Sequence, residues 1–274
     1  MSTPALSKPP GAAAPSSLGD ATGRESRRSP AGLRALMIGL LALLAALATW
    51  VPGLAAQDDP FFTLRQSMVQ DQVLGRGVTA PDVLSAMVEV PRHLFVPENM
   101  RRRAYEDKPV TIAPGQTLSQ AYVSARMIDL LQLDGDEKVL EIGTGSGYDA
   151  ALLSRMAREV YTIEIDSDLA AQAQRNLQTL GFDNVEVRVG DGYRGWKEEA
   201  PFDAILLTAA PTRVPEPLLE QLAVGGRMVV AVGYSLHQDL QVITKTSATE
   251  RTVRRVNLIS LSPMTGEVDR QPVD

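Results

Sequence analysis

"VLEIGTGSGYDAA", Val139 to Ala151, passes from one apolar run through three alternating glycines into another apolar run. Val139, Leu140 and Ile142 read as a buried strand, and "YDAALLSRMA" from Tyr148 reads as the helix after it. Gly143, Gly145 and Gly147 fall in the turn between them. Glycine there permits a sharp reversal and close approach of the backbone to a ligand. The dinucleotide fingerprint G-x-G-x-x-G, counted from Gly143, needs a glycine where Tyr148 stands. The spacing is instead E-x-G-x-G-x-G, beginning at Glu141.

The alternation continues on the C-terminal side. "EVYTIEI" is a strand, "SDLAAQAQRNLQTLG" a helix ending at Gly181, and "VEVRVG" and "FDAILLTAA" are strands. "PEPLLEQL" is a short helix, followed by the strands "GGRMVVAVG", "LQVITKT" and "TVRRVNLISL". Strands alternating with helices predict an α/β fold with a doubly wound, mostly parallel sheet. The last two strands have no helix between them, which predicts an antiparallel C-terminal edge. On the N-terminal side, "TAPDVLSAMVEV" has helical spacing with Pro81 near its start, and "SQAYVSARMIDLLQL" is a second helix. One domain over 57–274 is expected, with a helical cap over about 57–115.

Residues 1–34, rich in Ala, Pro, Ser and Gly, are expected to form a disordered extension. Residues 35–56 carry no charge; arginines precede them and small residues close them before Asp58. That is the order of a signal peptide, or of a membrane anchor through this segment alone, and it implies export to a periplasmic compartment. A buried helix or a misassigned start codon are the other readings of the segment.

Composition narrows the function. The chain of 274 residues is 44% hydrophobic and 22% charged, as a globular protein is. Its net charge is −6, and Lys8, Arg24, Arg27, Arg28 and Arg34 outnumber Asp20 and Glu25 before residue 57, so the body is more acidic still. An acidic body argues against nucleic acid as a partner, since phosphate binding rests on clustered Lys and Arg. There is no cysteine, which removes disulfides and thiolate chemistry, and only His93 and His237 could offer an imidazole. His93 is expected to support the fold and His237 to lie in a surface loop.

The loop beginning at Glu141 resembles the first motif of class I S-adenosylmethionine-dependent methyltransferases. The resemblance implies a Rossmann-like methyltransferase sheet whose Gly143, Gly145 and Gly147 back the cofactor. It also implies that Glu141 faces the methionine amine, a charge-assisted pair. Glu164, ending the second strand, is implied as acceptor for the ribose hydroxyls, and Asp191 with Gly192 in "GDGY" as the adenine end.

"VPRHLFVPENMRRRAYEDKPVTIAPGQTLSQAYV", followed by "VLEIGTGSGY", "YTIEI", "GDGY", "FDAILLTAAP" and "PMTG", narrows the resemblance. From roughly Gln66 to Gly266 it is similar to the protein-L-isoaspartate O-methyltransferase family. The family implies transfer of a methyl group from S-adenosyl-L-methionine to the free carboxylate of isoaspartyl residues in damaged proteins. That transfer initiates repair, without a metal, by an enzyme expected to be a monomer. The same cofactor is made in the cytoplasm, which makes a cytoplasmic location the alternative to export.

By resemblance Ser119 is the active-site serine, a hydrogen-bond donor that orients the acceptor carboxylate. Thr117 and Leu118 share its loop, and Thr265 in "PMTG" stands near the cofactor. An acceptor carboxylate with a pKa of about 4 is already ionised near neutrality, so positioning suffices and no general base is needed. Ser119 could instead cap the following helix, as Asp166 could cap its own. Tyr122 and Arg126 read as lid and helix-face residues, and Tyr193 and Trp196 as packing. The family's usual proline is replaced by Ala121, which predicts a looser loop. Ser124 holds a position that is histidine or aliphatic elsewhere in the family. The alternatives are a class I methyltransferase with another carboxylate or small-molecule acceptor, and an exported binding module that keeps the fold.

Overall fold

Strand β3 (Lys138–Ile142) lies inside the sheet between two neighbouring strands, and its side chains explain why. Val139, Leu140, Glu141 and Ile142 are all buried, at 2% exposure or less. A parallel strand covered on both faces needs such a run, and each aliphatic side chain buried contributes about 1.5–3 kcal/mol. Glu141 is the one polar member.

The computed structural model describes residues 59–234 and 237–270. The expected extension over 1–34 and the signal or anchor over 35–56 lie outside the described residues. Among the described residues no helix is long and apolar enough to cross a membrane.

The chain enters through α1 (Phe62–Ser67), a π-helical turn (Met68–Val73) and α2 (Pro81–Glu89). Pro81 stands in the first turn of α2, where its missing N–H costs nothing. Two 3-10 turns, Arg92–Phe95 and Glu98–Arg103, lead to a small antiparallel hairpin of β1 (Val110–Ala113) and β2 (Gln116–Leu118). Gly115, at φ 74°, makes its turn. The cap is therefore helical up to this hairpin, which sequence periodicity does not announce. Helix α3 (Ala121–Leu131) then leads into β3.

After β3 come α4 (Tyr148–Ser154), β4 (Glu159–Glu164), α5 (Ser167–Thr179), β5 (Val185–Val189), β6 (Phe202–Leu207), α6 (Glu216–Gln221) and β7 (Leu222–Tyr234). Strands β8 (His237–Lys245) and β9 (Arg251–Ile259) complete a seven-stranded sheet of order β5-β4-β3-β6-β7-β8-β9. Its first five strands are parallel, and β8 and β9 are antiparallel, as expected. His237 begins β8 and does not sit in the expected loop.

Side-chain alternation along the strands divides the core in two. Leu140 and Ile142, with Ile205, Leu207, Met228 and Val230, pack with α6. Val139, Ala204, Leu206 and Val229 face the layer that holds α2, α3 and α4. Glu141 has the parity of Val139 and points into that helical layer. The chain leaves β3 toward β4 and β5, then returns to β6 on the opposite side of β3. That reversal opens a crevice at the carboxyl ends of β3 and its neighbours.

Candidate active site

The loop Gly143–Gly147 fills the reversal point. Gly143 (φ 99°), Gly145 (φ 54°) and Gly147 (φ 91°) all take the left-handed backbone that L side chains resist. A Cβ on Gly143 would lie 2.5 Å from Thr208 Oγ1, whose hydroxyl donates to the Gly143 carbonyl at 2.6 Å. On Gly147 it would press on Leu177 at 3.3 Å. The three glycines thus leave a backbone cradle that any larger residue would fill or distort.

A cavity runs over this cradle. Its walls include Thr117 and Leu118 from β2 with Ser119 just after it, Gly143 and Gly145, Glu164, Gly192 and Thr265. Residues from five separate stretches, named from sequence, thus meet in one place. Gly147, Glu141 and Asp191 do not reach the cavity wall. Tyr148, Asp149, Ile112, Thr208 and the 262–264 segment do, and none of these was expected from sequence as a site residue.

Glu164, 6% exposed, is held at the end of β4 by two backbone amides. Gly145 N–H donates to its Oε2 at 2.8 Å and Asp166 N–H to its Oε1 at 3.1 Å. The glycine loop and the β4 acid are therefore fixed to each other before any ligand arrives. Asp166 is the cap of α5, accepting from Asp168 and Leu169 N–H.

Glu141 lies behind the loop, fully buried. The Thr162 hydroxyl donates to its Oε2 at 2.5 Å and pairs with the Thr144 hydroxyl at 2.6 Å. Glu141 Oε1 has no hydrogen bond. Burial, then the nearby Asp149 carboxyl, push the Glu141 pKa well above the usual carboxylate range; the Thr162 bond opposes them.

Asp191 closes the other end of the sheet. Its Oδ1 accepts from Tyr193 N–H at 2.9 Å and its Oδ2 from Glu267 N–H at 2.6 Å. It thereby ties the loop after β5 to the C-terminal segment, leaving neighbouring Gly192 on the cavity wall. A Cβ on Gly192 would strike Ile142 Cγ2, so only glycine lets this loop close on the β3 end. The 262–265 segment is clamped over the cavity because Ala210 N–H donates to the Ser262 carbonyl and Met264 N–H to the Ala210 carbonyl.

Ser119 does not cap the following helix. Gln120 occupies the N-cap of α3 with no side-chain bond, and its amide group reaches Asp107 instead. The Ser119 carbonyl is held from behind by Arg92, whose Nη2 donates to it at 2.5 Å. Arg92 is completely buried; its Nε donates to the Ala104 carbonyl at 2.7 Å, and its guanidinium lies 4.8 Å from the Tyr148 ring centre. One side chain therefore joins the Ser119 loop to the helix that follows the glycine loop. Its neighbour His93 supports the fold, with Nδ1 2.7 Å from the Tyr105 hydroxyl and its ring stacked on Phe61. Tyr122 lies under the Arg76 guanidinium, Arg126 pairs with Asp129, and Trp196 packs edge-on against Tyr161. Among the described residues no group of three or more His, Asp or Glu could hold a metal ion.

The family model of protein-L-isoaspartate(D-aspartate) O-methyltransferase matches residues 64–269. A protein-L-isoaspartate O-methyltransferase of Picosynechococcus sp. is 49% identical over 208 residues, covering 76% of this chain and 93% of that protein. One from Synechococcus sp. is 52% identical over 212 residues, with 77% and 81% covered. A crystal structure from Plasmodium falciparum, described as the same kind of enzyme in complex with S-adenosyl-L-homocysteine, superposes with a TM-score of 0.64 at 25% identity. The match covers 73% of this chain and 98% of that one.

Proposed function

The chain belongs to the protein-L-isoaspartate(D-aspartate) O-methyltransferase family, and on that premise we propose how its own residues methylate the carboxylate of an isoaspartyl residue. The enzyme is an S-adenosyl-L-methionine-dependent methyltransferase acting on isoaspartyl residues in proteins, the first step of their repair. The observation that carries the residue assignment is the joining of the Ser119 loop, the glycine cradle and Glu164 around one cavity.

The fit to the cofactor rests on that cradle, which a Cβ at Gly143 would distort by striking Thr208, and on the preformed bond between Gly145 N–H and Glu164. Gly143 and Gly145 back the cofactor, Glu164 accepts from its ribose hydroxyls, and Thr117, Leu118, Gly192 and Thr265 complete the walls. Gly147, Glu141 and Asp191 act from behind: Gly147 turns the loop into α4, Glu141 anchors the Thr162–Thr144 pair, and Asp191 holds the Gly192 loop closed. Bound there, S-adenosyl-L-methionine supplies an electrophilic methyl group on a sulfonium.

The chain's part in the transfer is positioning. Ser119 Oγ donates to one oxygen of the acceptor carboxylate and leaves the other free to attack. Ordering the two reactants in this way is worth up to about 10 kcal/mol of barrier. No proton has to move, because the acceptor arrives ionised. Arg92 directs its donors to main-chain carbonyls and not into the cavity, so no guanidinium competes for the attacking oxygen.

Repair itself has a direct test. An isoaspartyl peptide incubated with the full-length protein and S-adenosyl-L-methionine, then left for its ester to collapse, should accumulate the aspartyl form. An isoaspartyl peptide that stays unchanged while another carboxylate is esterified would assign the site to a different acceptor. The run of arginines, apolar residues and small residues over 24–56 favours an export signal or anchor. Mass spectrometry of the mature N-terminus tests it, since an intact residue 1 in a soluble fraction would reject both.

A further inference from the structure

Asp149 has no partner assigned to it in the reaction described above. It stands in the first turn of α4, is 8% exposed and lines the cavity. Its Oδ1 is closed to solvent and has no hydrogen bond. The Ser124 hydroxyl beside it favours its charge but likewise lacks a hydrogen bond of good geometry. Arg92 favours that charge through space, yet two of its nitrogens serve the Ala104 and Ser119 carbonyls. Asp149 is thus a nine-tenths-buried carboxyl on the wall of a ligand cavity, in no ion pair among the described residues, and a cation carried by the ligand would complete it.

Its place along the cavity identifies that donor. In sheet order the carboxyl ends present Gly192 after β5, Glu164 after β4, then the glycine loop after β3. Asp149 follows the glycine loop, on the side that Arg92 fastens to Ser119 through the Tyr148 ring. A cofactor whose ribose meets Glu164 extends its amino-acid end toward this side. Glu141, the motif acid, cannot serve there: it is off the cavity wall, and burial favours its uncharged form.

We propose that Asp149 is the counter-charge that receives the ammonium group at the amino-acid end of the cofactor. The assignment rests on the cofactor reading above. Burial raises the pKa of Asp149 in the empty site, with Ser124 and Arg92 opposing, and an arriving ammonium supplies the opposite charge that the carboxylate lacks.

The test is a binding cycle on the full-length protein. Calorimetry compares wild type and Asp149→Asn with S-adenosyl-L-homocysteine and with its analogue bearing hydrogen in place of the amino group. The asparagine variant should bind S-adenosyl-L-homocysteine about ten- to a hundred-fold more weakly, the range for a hydrogen bond between charged partners. It should bind the deaminated analogue as wild type does, which also shows that the variant is folded. Equal losses for both ligands would make Asp149 a support of the loop, and no loss for either would remove it from the site; each overturns the proposal. Wild type that binds neither ligand would overturn the cofactor reading and this proposal with it.

Discussion

Arg92 holds the Ser119 carbonyl at 2.5 Å from a completely buried position, so the Ser119 loop is anchored through its main chain and not through the hydroxyl. Buried arginines are rare unless paired; this one gives Nε to Ala104 and Nη2 to Ser119, and its guanidinium faces the Tyr148 ring, while Nη1 has no hydrogen bond. The geometry of the reacting end depends on that link.

Arg92→Met leaves the Ala104 and Ser119 carbonyls without their donor. Each such group costs about 1–3 kcal/mol, so a loss on the order of 3 kcal/mol in urea unfolding is expected. Arg92→Lys keeps a charge but offers one flexible ammonium in place of a rigid fork. It should regain part of the stability while kcat stays depressed and the affinity for S-adenosyl-L-homocysteine changes little. A lysine variant with wild-type kcat would show that Arg92 only fills space.

Ser119→Ala removes the donor assigned to the acceptor carboxylate. Turnover on an isoaspartyl peptide should fall about ten- to a hundred-fold, the worth of a hydrogen bond to a charged group. S-adenosyl-L-homocysteine should bind as before. Unchanged turnover, or a loss shared equally by cofactor binding, would contradict the assignment.

Ala121 stands at the first position of α3, where a helix amide has no partner within the helix. Gln120 before it has φ −52° and ψ 138°, the extended backbone that a following proline requires. The absent proline has therefore not displaced the loop backbone. Ala121→Pro should stabilise the protein by about 0.5–1 kcal/mol and preserve turnover. A loss of stability would mean that the ring does not fit at this fully buried position.

Glu141 makes stability depend on pH in an unusual direction. Its carboxyl ionises with more difficulty in the fold than in the unfolded chain, mainly because of burial and then Asp149. Its contribution is complete below the unfolded value of about 4.3 and is lost as pH rises toward the folded value. Glu141→Gln cannot ionise, so its stability relative to wild type should improve steadily from pH 5 to pH 8 in thermal melts. Parallel curves for the two proteins would contradict the shift.

The fold was legible because the signals were local and regular. Alternating strand and helix periods, glycines at the β3 turn and the adjacent β8 and β9 all appear in the sheet as expected. The β1–β2 hairpin was not, since strands of four and three residues show no period. For the site, spacing named five of the stretches that meet at the cavity, while two of the named acids lie off its wall. Glu141 is turned away by strand alternation, and Asp191 is occupied by backbone amides that come from far along the chain. Arg92 was hidden beside a more conspicuous histidine, because no linear pattern reveals that an arginine will be buried.

The most direct measurement is a competition between paired peptides, identical except for one isoaspartyl or aspartyl linkage, using methyl-labelled S-adenosyl-L-methionine and the full-length protein. The account predicts base-labile label in the isoaspartyl peptide and none above background in its aspartyl twin. Equal labelling of the two, or labelling of neither while another acceptor takes the methyl group, would contradict it.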